Sequence, residues 1–346
     1  MSNDTQLGVG LYIDAANIQY NGGWGMAYDV LREFACRDGG IPLRLNSYVT
    51  FDAERARRDH GYRHGVERFH NAIRDMGFKV IVKEVKRYRD DAGNTFAKAN
   101  ADLDMAVDAL MQSDALGRVV LATGDGDFVR VVQALQNKGC RVEVIAFDNV
   151  SAALRREADF YLSGFLIPNL LPSRDGPDSP AWGGKGSVVR GVCYHFNRDG
   201  GFGFVRYLKR ADGKLWITDT RRDDSPYASA FFSMADVDDG VSPEQIQRQD
   251  TVLEFRLGES QAKEGELQAF QVSLAQGVER VRGTAPQGRG QPNANRGEGR
   301  PPRGNQVAAG EQRQQDEPNG NMVVDLPDEE ELPEVDGNRV EPAGTQ

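Results

Sequence analysis

Val119, Val120 and Leu121 form a short apolar run that ends in Thr123-Gly-Asp-Gly-Asp127. Phe128, Val131, Val132 and Leu135 follow at helical spacing. So short and uniform a run predicts a strand covered on both faces, as in a parallel sheet. The i, i+3, i+4, i+7 pattern predicts a helix opening at Asp127. Strand, glycine-bearing turn and helix in that order deliver Asp125 and Asp127 to the C-terminal end of a strand. Open α/β sheets hold their ligands at such ends. Taken alone, the two acids read equally well as a turn residue and a helix N-cap.

The residues before this stretch repeat its logic. Gly8 to Ile13 reads as a strand that again ends on an acid, Asp14, with Asn17 three residues on. A helix is expected over 27–37 with Ala27, Leu31 and Phe34 inward, and a strand over Leu43–Phe51. A single helix is expected over 53–76, carrying Val66, Phe69, Ile73 and Met76 on one face and ended by Gly77. Phe78–Val85 is a further strand. In the helix after Lys98, Leu103, Val107 and Leu110 make the expected inward stripe, which leaves Asp104 and Asp108 on a neighbouring face and Asp102 near the helix start. Arg141–Ala146 is another strand, Ser151 caps the next helix, and Ala158–Leu162 closes the unit. Strands alternating with helices imply a parallel sheet with right-handed crossovers.

Composition removes several function classes. The three cysteines, Cys36, Cys140 and Cys193, match no zinc spacing, and a reducing cytoplasm suits them. His60, His64 and His70 lack a cysteine or His-Glu partner and read as surface or packing residues. No stretch is apolar enough to span a bilayer, and residues 1–6 lack the pattern of a signal peptide. A net charge of −10 argues against a uniformly basic nucleic-acid coat but leaves room for local patches.

Asp14-Ala-Ala-Asn17, Lys98 through Asp108, Thr123-Gly-Asp-Gly-Asp-Phe128 and Gly139-Cys-Arg-Val-Glu-Val144 occur in the order, and with much of the spacing, of the NYN domain. The chain therefore resembles that PIN-like nuclease family, whose bacterial branch includes the LabA-like proteins. The resemblance implies a FLAP-nuclease-like fold with an acidic pocket that holds divalent metal and cuts RNA. Carried over by position, Asp14, Asp102, Asp125 and Asp127 are the implied catalytic and metal-binding acids. Asn17, Asp104, Thr123 and Lys98 are the implied supports. Mg²⁺ or Mn²⁺ is the implied cofactor. Clustered carboxylates repel a phosphodiester unless a cation inverts the local charge. No Ser-His-Asp or Cys-His set competes for the chemistry.

Downstream, Gly191 to Val205 contains Phe202-Gly-Phe204, which places two phenylalanines on one strand face. Such rings suit base stacking, but an isolated Gly-Phe-Gly-Phe reads first as core of a small barrel. The stretch resembles the first ribonucleoprotein motif of cold-shock domains, and Ala230-Phe-Phe-Ser-Met234 resembles the second. Thr251–Phe255 and Leu267–Val272 fit the closing strands. Departures are His195 in place of the aromatic before Phe196-Asn197, Ser233 in place of a histidine, and a long insert from Arg206 to Ser229. The resemblance implies an OB-type barrel and RNA contact through Phe202, Phe204, Phe231 and Arg198.

The expected architecture is thus α/β. A PIN-like parallel sheet flanked by helices occupies 1–170, a linker 171–185, an all-β OB or cold-shock-like barrel 186–282, and a disordered Gly/Arg/Pro-rich then acidic tail 283–346. The expected activity is metal-dependent endoribonuclease action on single-stranded RNA, without membrane attachment. A non-catalytic RNA-binding regulator of the same fold is the alternative. A small-substrate phosphatase is disfavoured, because Asp14-Ala-Ala-Asn17 lacks the second Asp and Thr of the phosphatase nucleophile motif.

Overall fold

The computed structural model describes residues 7–89, 95–98, 101–176, 179–260 and 265–275. The expected tail at 283–346 lies outside the described residues.

Alternation of strand and helix builds the first unit, in the order β1 (Gly8–Asp14), α1 (Ala15–Tyr20), α2 (Tyr28–Ala35), β2 (Ile41–Phe51), α3 (Ala53–Arg58), α4 (His60–Asp75) and β3 (Lys79–Glu84). After a short ribbon of β4 (Lys86–Arg89) and β5 (Thr95–Lys98) come α5 (Ala101–Met111), β6 (Arg118–Ala122), α6 (Val129–Asn137), β7 (Arg141–Ala146), α7 (Ala152–Glu157) and β8 (Phe160–Ser163). Six strands form one parallel sheet in the order β3-β2-β1-β6-β7-β8. β1 and β6 are buried along their whole length, as a sheet covered on both faces requires. Strand order reverses direction between β1 and β6, so the C-terminal ends of these two strands flank the switch-point crevice.

Three local expectations are corrected. The helix expected over 53–76 is two helices, because the Asp59 carboxylate accepts the Tyr62 N–H and caps a new start. A polar residue that satisfies free helix N–H groups competes with helix continuation. The inward face of α5 is Ala101, Met105 and Ala109; Leu103 and Val107 are 61% and 44% exposed. Both stripes are apolar; Leu110 of the expected one still packs against the core that holds Tyr12 and Tyr48, while Ala101, Met105 and Ala109 form the buried face. The helix after β6 begins with a 3-10 turn at Gly126–Phe128, capped by Asp125 rather than Asp127. The β4–β5 ribbon has no counterpart in the expected elements.

The second unit is a closed five-stranded barrel of β9 (Val188–Asn197), β10 (Phe202–Leu208), β11 (Tyr227–Ser233), β12 (Val252–Glu259) and β13 (Leu267–Leu274), in the order β10-β11-β13-β12-β9. One parallel pairing, β11 with β13, interrupts an otherwise antiparallel barrel, an arrangement that fits the OB-fold. Val189, Val205, Phe232, Phe255 and Leu257 fill the interior.

The two units share packing. Leu208, Leu215 and Tyr227 join the core of the parallel sheet, and the Gly213 N–H donates to Asp38 at 3.2 Å. Leu215 and Gly213 belong to the long insert, so the segment that departs from a minimal barrel is what docks it. The described residues between Leu170 and Ser187 run in turns held to the barrel. Trp182 Nε1 donates to the Leu208 carbonyl at 2.7 Å, and Arg256 pairs with Asp175 at 2.8 Å. Among the described residues no helix is long and apolar enough to cross a membrane.

Candidate active site

β1 ends on Asp14, which is only 4% exposed. Its Oδ1 accepts the Asn17 N–H at 3.0 Å, so the acid caps α1 while facing the crevice. Across the switch point, Asn17 Oδ1 accepts the Gly124 N–H at 2.8 Å and ties the two strand ends together. Gly124 is fitted closely, since a Cβ there would lie 3.3 Å from the Val150 backbone and 3.5 Å from Asn17 Oδ1. Thr123 is fully buried, and its Oγ1 accepts the Asp125 N–H at 3.2 Å. Asp125 in turn accepts the Asp127 N–H at 3.0 Å. Each implied support at this edge therefore orders the backbone that carries an acid.

The carboxyl groups sense one another. Burial pushes the Asp14 pKa up to about 7; the Asn17 N–H opposes this, while a hydrogen bond with Asp102 and the charges of Asp102 and Asp125 add to it. Burial also raises Asp125, with further contributions from Asp127 and Asp102. Asp14, Asp102 and Asp125 are thus drawn together from the ends of β1 and β6 and the start of α5. Asp127 is exposed at the rim.

The other acids of α5 are engaged elsewhere. Asp104 pairs with Lys83, and Asp108 accepts the Tyr48 hydroxyl at 2.8 Å. Lys98 ends β5 opposite Lys86, and its side chain lies outside the described residues. Asp52, at the end of β2, repeats the Asp14 pattern of a buried acid after a strand, yet its carboxylate accepts the Glu54 and Arg55 N–H groups. Sequence reasoning did not single out Asp148, a surface residue just after β7 whose pKa partial desolvation raises. His60 and His64 lie on the surface, whereas His70 is 7% exposed and burial drives its pKa down to about 4.

Among the described residues no three His, Cys, Asp or Glu side chains stand as a ready metal-ligand set. The donor chemistry still fits a hard divalent cation. All the donors are carboxylate oxygens, and ionising buried Asp14 beside Asp102 and Asp125 calls for a compensating positive charge.

On the barrel, Phe202, Phe204 and Phe231 are half-buried on the outer face, while their neighbours Gly203 and Phe232 point inward. Gly203 is required there, since a Cβ would come within 2.6 Å of the Phe232 ring. The three phenylalanine rings lie 5.7 to 6.4 Å apart. A bulge in the β9–β10 pairing adds Tyr194 and His195, each about 6 Å from Phe204. The periodicity of the sequence does not reveal this bulge. Arg198 pairs with Glu244 at 2.6 Å, and the arginine that continues the Phe202–Phe204 face is Arg206.

Residues 8–166 match the family model of the NYN domain. The low amplitude and bright protein LabA of Synechococcus elongatus is 29% identical over 113 residues, which cover 32% of this chain and 61% of that protein. The chain thus spans about three-fifths of the length of that relative. A crystal structure of a protein of unknown function from Vibrio parahaemolyticus is 22% identical, covering 47% of this chain and 96% of its own, with a TM-score of 0.39.

Proposed function

We propose that this protein is a metal-dependent endoribonuclease whose barrel binds single-stranded RNA, acting in the cytoplasm. The observation that carries the reading is the buried Asp14 carboxyl, hydrogen-bonded to Asp102 and close enough to Asp125 to feel its charge, at the switch point of the region that matches the NYN domain. Asp14, Asp102 and Asp125 would hold Mg²⁺ or Mn²⁺, with Asp127 at the rim. The bound cation would supply an activated water and relief of negative charge on the scissile phosphate. The chain's own residues supply order and selection. Asn17 and Thr123 fix the two strand ends, and the low exposure of Asp14 excludes bulk water from one wall. Phe202, Phe204 and Phe231, in a barrel of cold-shock type, would stack unpaired bases, each worth about 1–3 kcal/mol.

The test is incubation of the purified full chain with mixed-sequence RNA and Mn²⁺, beside an Asp14→Asn variant. Internal cleavage by the parent that is lost in the variant supports the reading. RNA binding without turnover in both would move the chain to the non-catalytic regulator. Cleavage that survives in both would place the activity outside this site.

A further inference from the structure

Between the edge strand β8 and the barrel lies a cleft of about 680 Å³ that the proposed chemistry does not use. Its volume is within the range of ligand-binding cavities. Its floor is apolar, formed by Phe165, Leu208 and Val252, and its walls carry Arg155, Arg206 and Arg248. An apolar floor beneath arginine walls suits a base and its phosphates together. Arg206 stacks on Tyr194 and Tyr227, with its guanidinium 5.9 and 5.4 Å from the ring centres. No described carboxylate pairs with Arg206; its NH1 donates to the Thr218 carbonyl at 3.3 Å. Arg155 lies 4.7 Å over the Tyr161 ring and is held by Asp250 at 3.8 Å, with its Nε buried and unpartnered. Asp250 also serves Arg248 at 3.2 Å, so one acid is shared between two arginines.

The position of the cleft is as informative as its lining. Phe202, Phe204 and Arg206 alternate along the outer face of β10, so the aromatic platform runs directly into the cleft mouth. On the opposite wall, Asp148 leads back to the acid edge through backbone and side-chain hydrogen bonds. The Asp148 N–H donates to the Asn21 carbonyl at 2.8 Å, Asn21 Nδ2 donates to the Asn17 carbonyl at 2.7 Å, and the Asn17 N–H donates to Asp14.

We propose that this interdomain cleft is a binding track for single-stranded RNA, with Arg155 and Arg206 on its phosphates, joining the barrel's aromatic face to the acid edge of the sheet. The proposal rests on the reading of the barrel as an RNA-binding module. It makes substrate length matter: a short strand occupies the platform alone, whereas a longer one also engages the arginines.

Binding is measured by fluorescence anisotropy in EDTA, with the full chain carrying Asp14→Asn and with single strands of about 4 and about 12 nucleotides. Adding Arg155→Ala and Arg206→Ala should weaken the long strand about tenfold or more, lower its salt slope by about 1.4, and leave the short strand within about twofold. Because Arg206 packs on two rings, Arg206→Lys serves as a charge-keeping control, expected to retain long-strand affinity within about threefold. In addition, RNA bearing 4-thiouridine should crosslink to peptides containing Tyr161, on the sheet side of the cleft. Equal loss for both lengths, no loss for either, or crosslinks confined to β10 and β11 would overturn the track. Failure of Mn²⁺-dependent cleavage by the parent chain, with the length-dependent loss intact, would overturn the nuclease reading and leave the track standing. Failure of the parent to bind either strand would overturn both.

Discussion

Asp14 and Phe204 depart from ordinary burial in opposite directions. At the sheet edge a carboxyl group is 4% exposed and sits beside two other acids. On the barrel, three large apolar rings remain partly exposed while Val205 and Phe232 beside them turn inward to the core. Burying like charges costs stability, and leaving phenylalanine exposed forgoes it. The first arrangement is held by backbone caps, namely the Asn17, Gly124 and Asp127 N–H groups, which a parallel sheet's loops supply at its C-terminal edge. The second is held by strand alternation, which offers every second side chain to solvent. The sheet edge is therefore suited to charge chemistry, and the barrel face to stacking that tolerates any base.

The sharpest way to break this division is at Asp125. Asp125→Asn keeps the cap to the Asp127 N–H and removes one charge; cleavage of RNA should fall by at least about 10⁴-fold, or ~5 kcal/mol in barrier. Anisotropy with the same RNA in EDTA should stay within about twofold. A parallel loss of binding would mean the two regions do not divide the work.

Neighbouring residues on β11 provide the next contrast. Phe232→Ala should destabilise the barrel by about 3–5 kcal/mol in urea unfolding, since its ring is fully buried. Phe231→Ala should cost far less stability yet weaken single-strand binding by about 1–2 kcal/mol. Similar unfolding midpoints for the two variants would show that the alternation does not separate core from platform.

The smallest effect concerns pH. An acid whose folded pKa is raised favours the folded state most below its unfolded value. For Asp14 that contribution is lost as pH rises from about 4 through about 7. Asn at this position preserves the cap and cannot ionise. In EDTA, Asp14→Asn should therefore match the parent near pH 4 and exceed its stability by about 1–3 kcal/mol at pH 8. Adding Mn²⁺ should narrow the gap by stabilising the parent alone. A gap independent of pH would show that Asp14 does not carry the buried proton.

Much of this was legible in the sequence because it is written in local chemistry. Short apolar runs ending in Asp14 and in Thr123-Gly124-Asp125 identify strand ends, and residues two apart, Phe202 and Phe204, necessarily share a strand face. The order of strands and helices set the α/β class and placed the barrel after the sheet. Tertiary structure alone decided which of two apolar stripes on α5 faces inward, and so sent Asp104 to Lys83 while Asp102 met Asp14. It decided that Asp52 is spent on a cap, although it follows its strand as Asp14 does. It also placed the long insert against the sheet and opened the arginine-lined cleft beside it. Periodicity reports which residues share a face of one element. Which face meets which neighbour depends on distances between elements far apart in the chain, and those are set only when the elements pack.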